Sequence, residues 1–436
     1  MHSFRSSSVT LGLLSAFLVS ACTSTSTIPQ PDAGDLPVAP ESARVDLAMP
    51  TFSNPTNVTN PLFPVSSQAS VLLVGTVDGM AFRTEVTLLA ENRIIEWGGQ
   101  SVEVLVSQYV AYLDGRIHEV AFDFYAQADD GSVWYFGEDV FNFADGAIAN
   151  THGTWIAGRD GPAAMIMPAD PKVGDVYRPE NIPGLVFEEV TVQQVGQTLD
   201  GPLGSIEGGI VVQELHMDGG TEDKTFAPAY GEFFTSDGVD TEALAMAVPT
   251  DAASEPVPDS LVTITEGAAT VFAAADAGSW DAASAAIEDM TTAWTDYAAG
   301  DVPRLVEPLM AEALDALNQA IDAQDAEGAR QAAINVAQWS LDLQLRYRPA
   351  TEVDLGRFDL WLAQLQLDAA AEDADGVNGD LLTLDYVRDR ILHAMDASTV
   401  AELNLALEEL QTSVTDGDFA TATEIAQGLR DLVAGL

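Results

Sequence analysis

Asp114-Gly115-Arg116-Ile117-His118-Glu119-Val120-Ala121-Phe122-Asp123-Phe124-Tyr125-Ala126-Gln127 begins with a turn dipeptide and continues with a period of two. Val120, Phe122, Phe124 and Ala126 share one face, while Glu119, Asp123 and Gln127 share the other. That pattern predicts an antiparallel strand with one side on a core and one side in water. Four further Asp-Gly pairs, at 78–79, 130–131, 145–146 and 218–219, punctuate similar runs. A type I′ hairpin turn needs positive φ at both central residues, which Gly tolerates and Asp accepts better than most. Strands are therefore expected at 71–76, 81–90, 102–113, 116–127, 132–143 and 147–157. After a Gly/Pro-rich crossing at 158–184 they resume at 185–195, 205–216 and 225–234. Residues 60–235 thus read as an antiparallel β-meander, either a curved sheet or a partial barrel.

Downstream, residues 236–259 carry Pro249, Pro256 and Pro258 among Asp, Ala and Ser and read as a linker. The period then changes to 3.6. Val271, Ala275, Trp280, Ala283, Ile287 and Met290 recur 46 positions on as Leu317, Ile321, Ala326, Ala329, Ala333 and Val336. A further 93 positions give Leu410, Val414, Phe419, Ala422, Ala426 and Leu429. All these positions are apolar, and an Asp-bearing turn falls at the same place in each set, so each unit is expected to be a helical hairpin. A fourth hairpin, 355–371 then 381–397 around a longer turn at 373–380, fills the gap. The whole is a multidomain α and β chain: an antiparallel β-meander followed by an all-α helical-hairpin bundle over 260–436.

Upstream, a short apolar run at 9–18 follows Arg5 and ends in Leu18-Val19-Ser20-Ala21-Cys22. A basic start, a ten-residue apolar stretch and small residues before a cleavage point predict a signal peptide over 1–21. The ending resembles that of bacterial lipoprotein precursors. The resemblance implies a diacylglycerol on the Cys22 thiol, cleavage before it, and a protein lipid-anchored to the bacterial envelope. Thr23, rather than Asp, allows an outer-membrane or cell-surface destination. Residues 22–59, rich in Ser, Thr, Pro and Asp, are expected to be a disordered tether reaching up to on the order of 100 Å. Cys22 is the single cysteine, so no intramolecular disulfide forms.

Charge narrows the partners. Seventeen Lys+Arg against 68 Asp+Glu give −51, a surface that repels nucleic acid and anionic headgroups. The membrane is then reached only through the anchor. Such a chain suits an envelope protein or small-ligand partner, or weakly held divalent cations, and no cofactor is indicated.

Within the β region, Tyr125-Ala126-Gln127, Asp129 to Gly131, Val133-Trp134-Tyr135-Phe136-Gly137-Glu138, Gly153-Thr154-Trp155, Asp160-Gly161 and Met167-Pro168 resemble a run shared by secreted bacterial proteins of unassigned function. Asn60-Pro61-Leu62-Phe63-Pro64 fits the usual opening of that family. The resemblance spans about residues 60–234 and implies no activity.

Few residues suggest chemistry. Asp385, Asp389 and His393 stand at i, i+4 and i+8, a ligand-like spacing on a face expected to be solvated. The stretch 373–380 is Asp- and Gly-rich, yet Asn378 and Leu384 occupy the places where a calcium loop needs Gly and Glu. Asp129 and Asp130 near Glu138 and Asp139 offer carboxylate pairs of the kind glycoside hydrolysis uses. Trp134, Tyr135 and Trp155 are candidates for stacking on a ligand. His118 shares parity with Val120 and reads as a histidine at the rim of a core. No nucleophile elbow, P-loop, dinucleotide fingerprint or zinc-protease helix is present.

The expectation is a non-catalytic, envelope-tethered module that binds or displays a ligand. Two alternatives stand beside it: divalent-cation handling by the acidic helical domain, and carriage of a lipid or other apolar ligand in the β domain.

Overall fold

A computed structural model describes residue 34 and residues 36–436; Cys22 and the expected signal segment lie outside these. Among the described residues, fifteen strands form one antiparallel sheet and eight α-helices follow. The strands β1 (Ser70–Val77), β2 (Met80–Leu88), β4 (Gln100–Leu113), β5 (Arg116–Gln127), β6 (Val133–Ala144) and β7 (Ala147–Asn150) make a first meander. A short β3 (Arg93–Trp97) folds onto β4, while β8 (Trp155–Ile156) and β9 (Ala164–Met167) fold back onto β6. A second meander runs through β10 (Val176–Ile182), β11 (Val186–Asp200), β12 (Ser205–His216), β13 (Thr221–Ala227), β14 (Gly231–Ser236) and β15 (Thr241–Val248). Pairing of β15 with β1 joins the two meanders edge to edge. β9 lies alongside β10 without a ladder, so the sheet curls but stays open and is not a closed barrel.

Three of the five Asp-Gly pairs make the expected turn: φ is positive at both residues of 78–79, 114–115 and 145–146. In the other two only Gly is positive. There the Asp side chain competes for the turn, Asp130 Oδ1 accepting from the Ser132 amide at 2.9 Å and Asp218 Oδ1 from the Gly220 amide at 2.8 Å. The expected strand at 225–234 is two strands, because Pro228 interrupts the ladder and Ala229 turns the chain at φ 70°. The crossing at 158–184 holds both β9 and β10. The linker expected at 236–259 contributes β15, whose Thr-Glu-Ala-Leu-Ala-Met-Ala-Val sequence has too little β propensity to announce a central strand.

The expected tether at 22–59 is in part bound to the sheet. Leu36 is buried with Phe187, Leu215 and Met217, and the Val45 amide donates to the Val176 carbonyl at 2.9 Å. Asp129 accepts from Thr51 Oγ1 at 2.8 Å and from the Ser53 amide at 2.7 Å. The strap has no periodicity because it forms no ladder of its own; isolated backbone bonds and single side chains of the sheet hold it.

The helices are α1 (Asp259–Asp276), α2 (Trp280–Ala298), α3 (Val306–Ala323), α4 (Ala326–Gln344), α5 (Ala350–Ala370), α6 (Ala374–Ile391), α7 (Ala397–Thr415) and α8 (Phe419–Val433). They form four hairpins. α1–α4 share one core and α5–α8 another. Every position of the apolar repeat is buried except Trp280, Ala326 and Phe419, and those three each open the second helix of their hairpin. α6 starts at Ala374 rather than 381, because Asp373 caps it by accepting from the Gly376 amide at 3.1 Å. The Asp-rich stretch is therefore helix, not a long turn.

The helices cover the convex face of the sheet. Leu72, Val74 and Ala245 join the α1–α4 core, and Tyr112 stacks on Trp361 at 5.3 Å. Between these apolar patches lies a buried ionic network. Asp342 meets Arg83 at 2.8 Å and Arg357 at 2.6 Å, and Asp354 meets Arg357 at 2.9 Å. Glu85 meets Arg83 at 2.5 Å and also Arg357 and Arg390. Three carboxylates thus face three guanidiniums. Burial pushes the Glu85 carboxyl up, and the charges of Arg357, Arg83 and Arg390 outweigh that and hold it well below the usual range.

Candidate binding site

Alternation sends every second side chain of the curled sheet to its concave side, where the strands enclose a cavity of about 140 Å³. Part of the wall is apolar, with Val71, Val86, Val190 and Phe226. Set among these and other apolar residues such as Leu73 and Ile166 are the carboxylates Asp123, Glu188, Glu214, Glu232 and Glu242, the single cation Lys224, the neutral polar Gln68 and Ser107, and Tyr109, Tyr125, Tyr135, Tyr177 and Tyr230. Asp123, Glu188, Glu214 and Glu242 are buried.

This corrects the reading of the opening stretch. Glu119 and Asp123 were expected on a wet face, but both are buried. Helices cover the opposite face of β5, and the acidic face turns inward. Alternation reports that two faces differ, not which of them meets water.

Burial dominates the electrostatics. It pushes the Glu119 carboxyl up to about 8, helped by Asp123 and Glu242. It pushes Asp123 up to about 7 even though the Tyr135 hydroxyl donates to it at 2.6 Å. Glu242 rises to about 8 through burial and the neighbouring Glu232. Glu214 rises to about 7 through burial and Glu188, with Lys224 opposing. A second acid pair, Glu138 against Glu180, is raised in the same way, and the Trp155 indole donates to Glu180 at 3.1 Å. The interior is short of positive charge.

Lys224 Nζ lies 2.9 Å from Glu214 Oε2 and 3.2 Å from Glu222 Oε1. Glu214 Oε1 meets no donor, and the Tyr177 hydroxyl, buried in the field of Glu214, has no hydrogen-bond partner. Glu188, Glu214 and His216 form the one group among the described residues whose donor atoms all lie within metal-ligating reach. The register explains it: Glu188 pairs directly with His216 across β11 and β12, and Glu214 precedes His216 by two on the same face. Side-chain bonding to Glu188 and the charges of Glu214, Glu188 and Glu222 overcome burial and raise His216 to about 9.

Of the residues singled out in the sequence, Tyr135 lines the cavity. Trp155 is fully buried behind it, and Trp134 packs on Trp97 with its indole on Ser132 Oγ. Asp385 and Asp389 both pair with Arg388, at 2.9 and 3.0 Å. His393 is exposed in a 3₁₀ turn past the end of α6, so the i+8 stripe is broken. Asp129 ties down the strap, Asp130 shapes its turn, and Asp139 pairs with Arg93 at 2.8 Å, so these acids do not converge. His118 is partly buried, edge-on to Phe82.

Several residues of the secreted-protein run prove architectural. Gln127 accepts from the amides of Thr59 and Asn60 at 2.7 and 2.9 Å, and Asn60 donates to the carbonyls of Gly131 and Pro168. Gly137, at φ 112°, leaves the space in which a Cβ would overlap the Trp155 carbonyl. No protein-family model, curated protein or solved structure matches the chain.

Sequence reasoning missed Glu188, Glu214, Lys224, Glu242 and Tyr177. One signal was available: Tyr125 has the parity of Glu119 and Asp123, and an aromatic is out of place on a solvated acidic face.

Proposed function

We propose that this chain is a non-catalytic, envelope-tethered protein that binds a small cation in the cavity of its β domain. The observation that carries the reading is a partly open cavity in whose largely apolar wall five carboxylates (Asp123, Glu188, Glu214, Glu232, Glu242) stand against one lysine. Burial leads Asp123, Glu214 and Glu242 to hold protons near neutral pH, and a positively charged guest would pair with their ionised form and displace those protons. Cavities of about 150 Å³ take guests the size of benzene, and about 140 Å³ favours a small cation over a lipid acyl chain. The tyrosine faces suit a cation as well.

Tethering at Cys22 follows from the lipoprotein resemblance and complements this role. With the strap bound from Leu36 onward, the chain between Cys22 and the β domain reaches at most about 50 Å, half the length expected for a free tether. Native mass spectrometry of the protein from its own envelope tests the reading. A mass excess of one small cation, absent from a Glu214→Gln/Glu242→Gln variant, supports it; an anionic or neutral guest overturns it.

A further inference from the structure

We propose that Glu188, Glu214 and His216 form a binding site for a divalent d-block cation of the zinc class, at the edge of the β-domain cavity, which Glu188 and Glu214 line. The inference rests on the cation-binding reading and names the guest.

Strand pairing places Glu188 directly opposite His216, and the two-residue repeat puts Glu214 on the same face. Three donors from two adjacent strands therefore form a triangle that the ladder itself holds. Their ligating atoms lie within 4.8 Å of one another. A zinc ion takes O and N donors at about 2.0–2.2 Å, so a closure of about 1 Å is needed, within the range of side-chain torsions.

Glu214 is already oriented for this. Lys224 holds its Oε2 at 2.9 Å, and its buried Oε1 meets no donor. Such a support on a ligating carboxylate is what metal sites generally use. Glu222 lies 3.2 Å from the same ammonium and offsets its charge. Glu180 on β10 and Glu232 on β14 also act on this part of the interior, and both are anionic when ionised.

The donor set chooses the metal. One imidazole and two carboxylates suit zinc, cobalt, nickel or copper, whereas calcium and magnesium prefer oxygen alone. Three protein ligands leave a further position open, and the Tyr177 hydroxyl, buried and without a partner, lies in the field of Glu214 to bond whatever fills it. His216 is the most exposed of the three, with 17 % of its side chain accessible, so the ion has a route in from the β12 end.

The test uses the full chain freed of metal by chelation and titrated calorimetrically with Zn²⁺ and Co²⁺, and separately with benzylammonium. One metal ion per chain is expected, with affinity at least ~100-fold weaker in His216→Ala and in Glu214→Gln, and unchanged in Asp385→Ala/Asp389→Ala. Electron paramagnetic resonance of the Cu²⁺-loaded wild type adds a readout that needs no variant, and coupling to one imidazole nitrogen is expected. Undiminished metal binding in a folded His216→Ala protein, or a copper spectrum without nitrogen coupling, overturns the site. Benzylammonium binding without metal binding overturns the metal site and leaves the cation-binding reading standing. Binding of neither removes both.

Discussion

Glu85→Gln is the sharpest perturbation of how sheet and helices are joined. The side chain is isosteric, but the change leaves Arg83, Arg357 and Arg390 facing only Asp342 and Asp354, one positive charge in excess. Glu85, Asp342, Asp354, Arg357 and Arg390 are each no more than 2 % exposed, so water cannot make up the loss. Removing one partner from a buried network of this kind costs about 3–5 kcal/mol, a factor of ~10² to 10³ or more in the folding equilibrium. Arg93 and Asp139 provide the contrast: at 42 % and 35 % side-chain exposure their pair is worth less than about 1 kcal/mol. Urea unfolding followed by far-ultraviolet circular dichroism for the helices, and by the near-ultraviolet signal of the buried tyrosines for the sheet, reads the outcome. The wild type should show coincident transitions. Glu85→Gln should lower the midpoint and separate the two signals, while Asp139→Asn should do neither. Adding Arg390→Gln restores charge balance and should be less destructive than the sum of the two single changes. A Glu85→Gln protein within about 0.5 kcal/mol of wild type would refute the reasoning.

Other predictions concern the interior, the motif, the cap and the anchor. In the folded chain Glu119, Asp123 and Glu242 are raised to about 8, 7 and 8, above their unfolded values. Their contribution to stability is therefore full below pH about 4 and lost as pH rises through 7 to 8, so the Tm of cation-free protein should fall between pH 5.5 and 9. His216, raised to about 9, adds to the same trend. Gly137→Val places a side chain against the Trp155 carbonyl and should destabilise by about 3 kcal/mol or more in urea titration. Asp373→Ala removes the α6 cap and should cost about 1 kcal/mol in the same assay. Cys22→Ser should release the protein from membranes with its circular dichroism intact; retention through a salt wash would mean that a protein partner holds it.

The Asp-Gly turns and the period of two announced the meander because they are local signals, and three of the five turns formed as read. The helical repeat was equally legible, although the apolar pattern did not show that Trp280, Ala326 and Phe419 would stay outside the fully buried core. What escaped was the arrangement of faces. An Ala-rich β15 does not look like a central strand, although it joins the two meanders. The strap from Leu36 to Asn60 has no pattern, because single acceptors such as Asp129 and Gln127 hold it. The candidate site was hidden for a related reason. Glu188 and Glu214 sit on the paired strands β11 and β12 and Glu242 on β15, whereas Asp123 belongs to the other meander, and on each strand an acid beside apolar neighbours looks like a residue in water. Register sets Glu188 beside Glu214, the curl of the sheet brings Asp123 and Glu242 to the same cavity, and the helices on the convex face leave Asp123 turned inward.

Selection for positive charge is the property on which the proposed function stands. A calorimetric titration of the metal-free chain with three guests of nearly equal size and different charge tests it most directly: benzylammonium, benzyl alcohol and benzoate. One benzylammonium per chain is expected, weakened at least ~10-fold in Glu214→Gln/Glu242→Gln, with no measurable binding of the alcohol or the carboxylate. Equal binding of all three, or preference for benzoate, would contradict it.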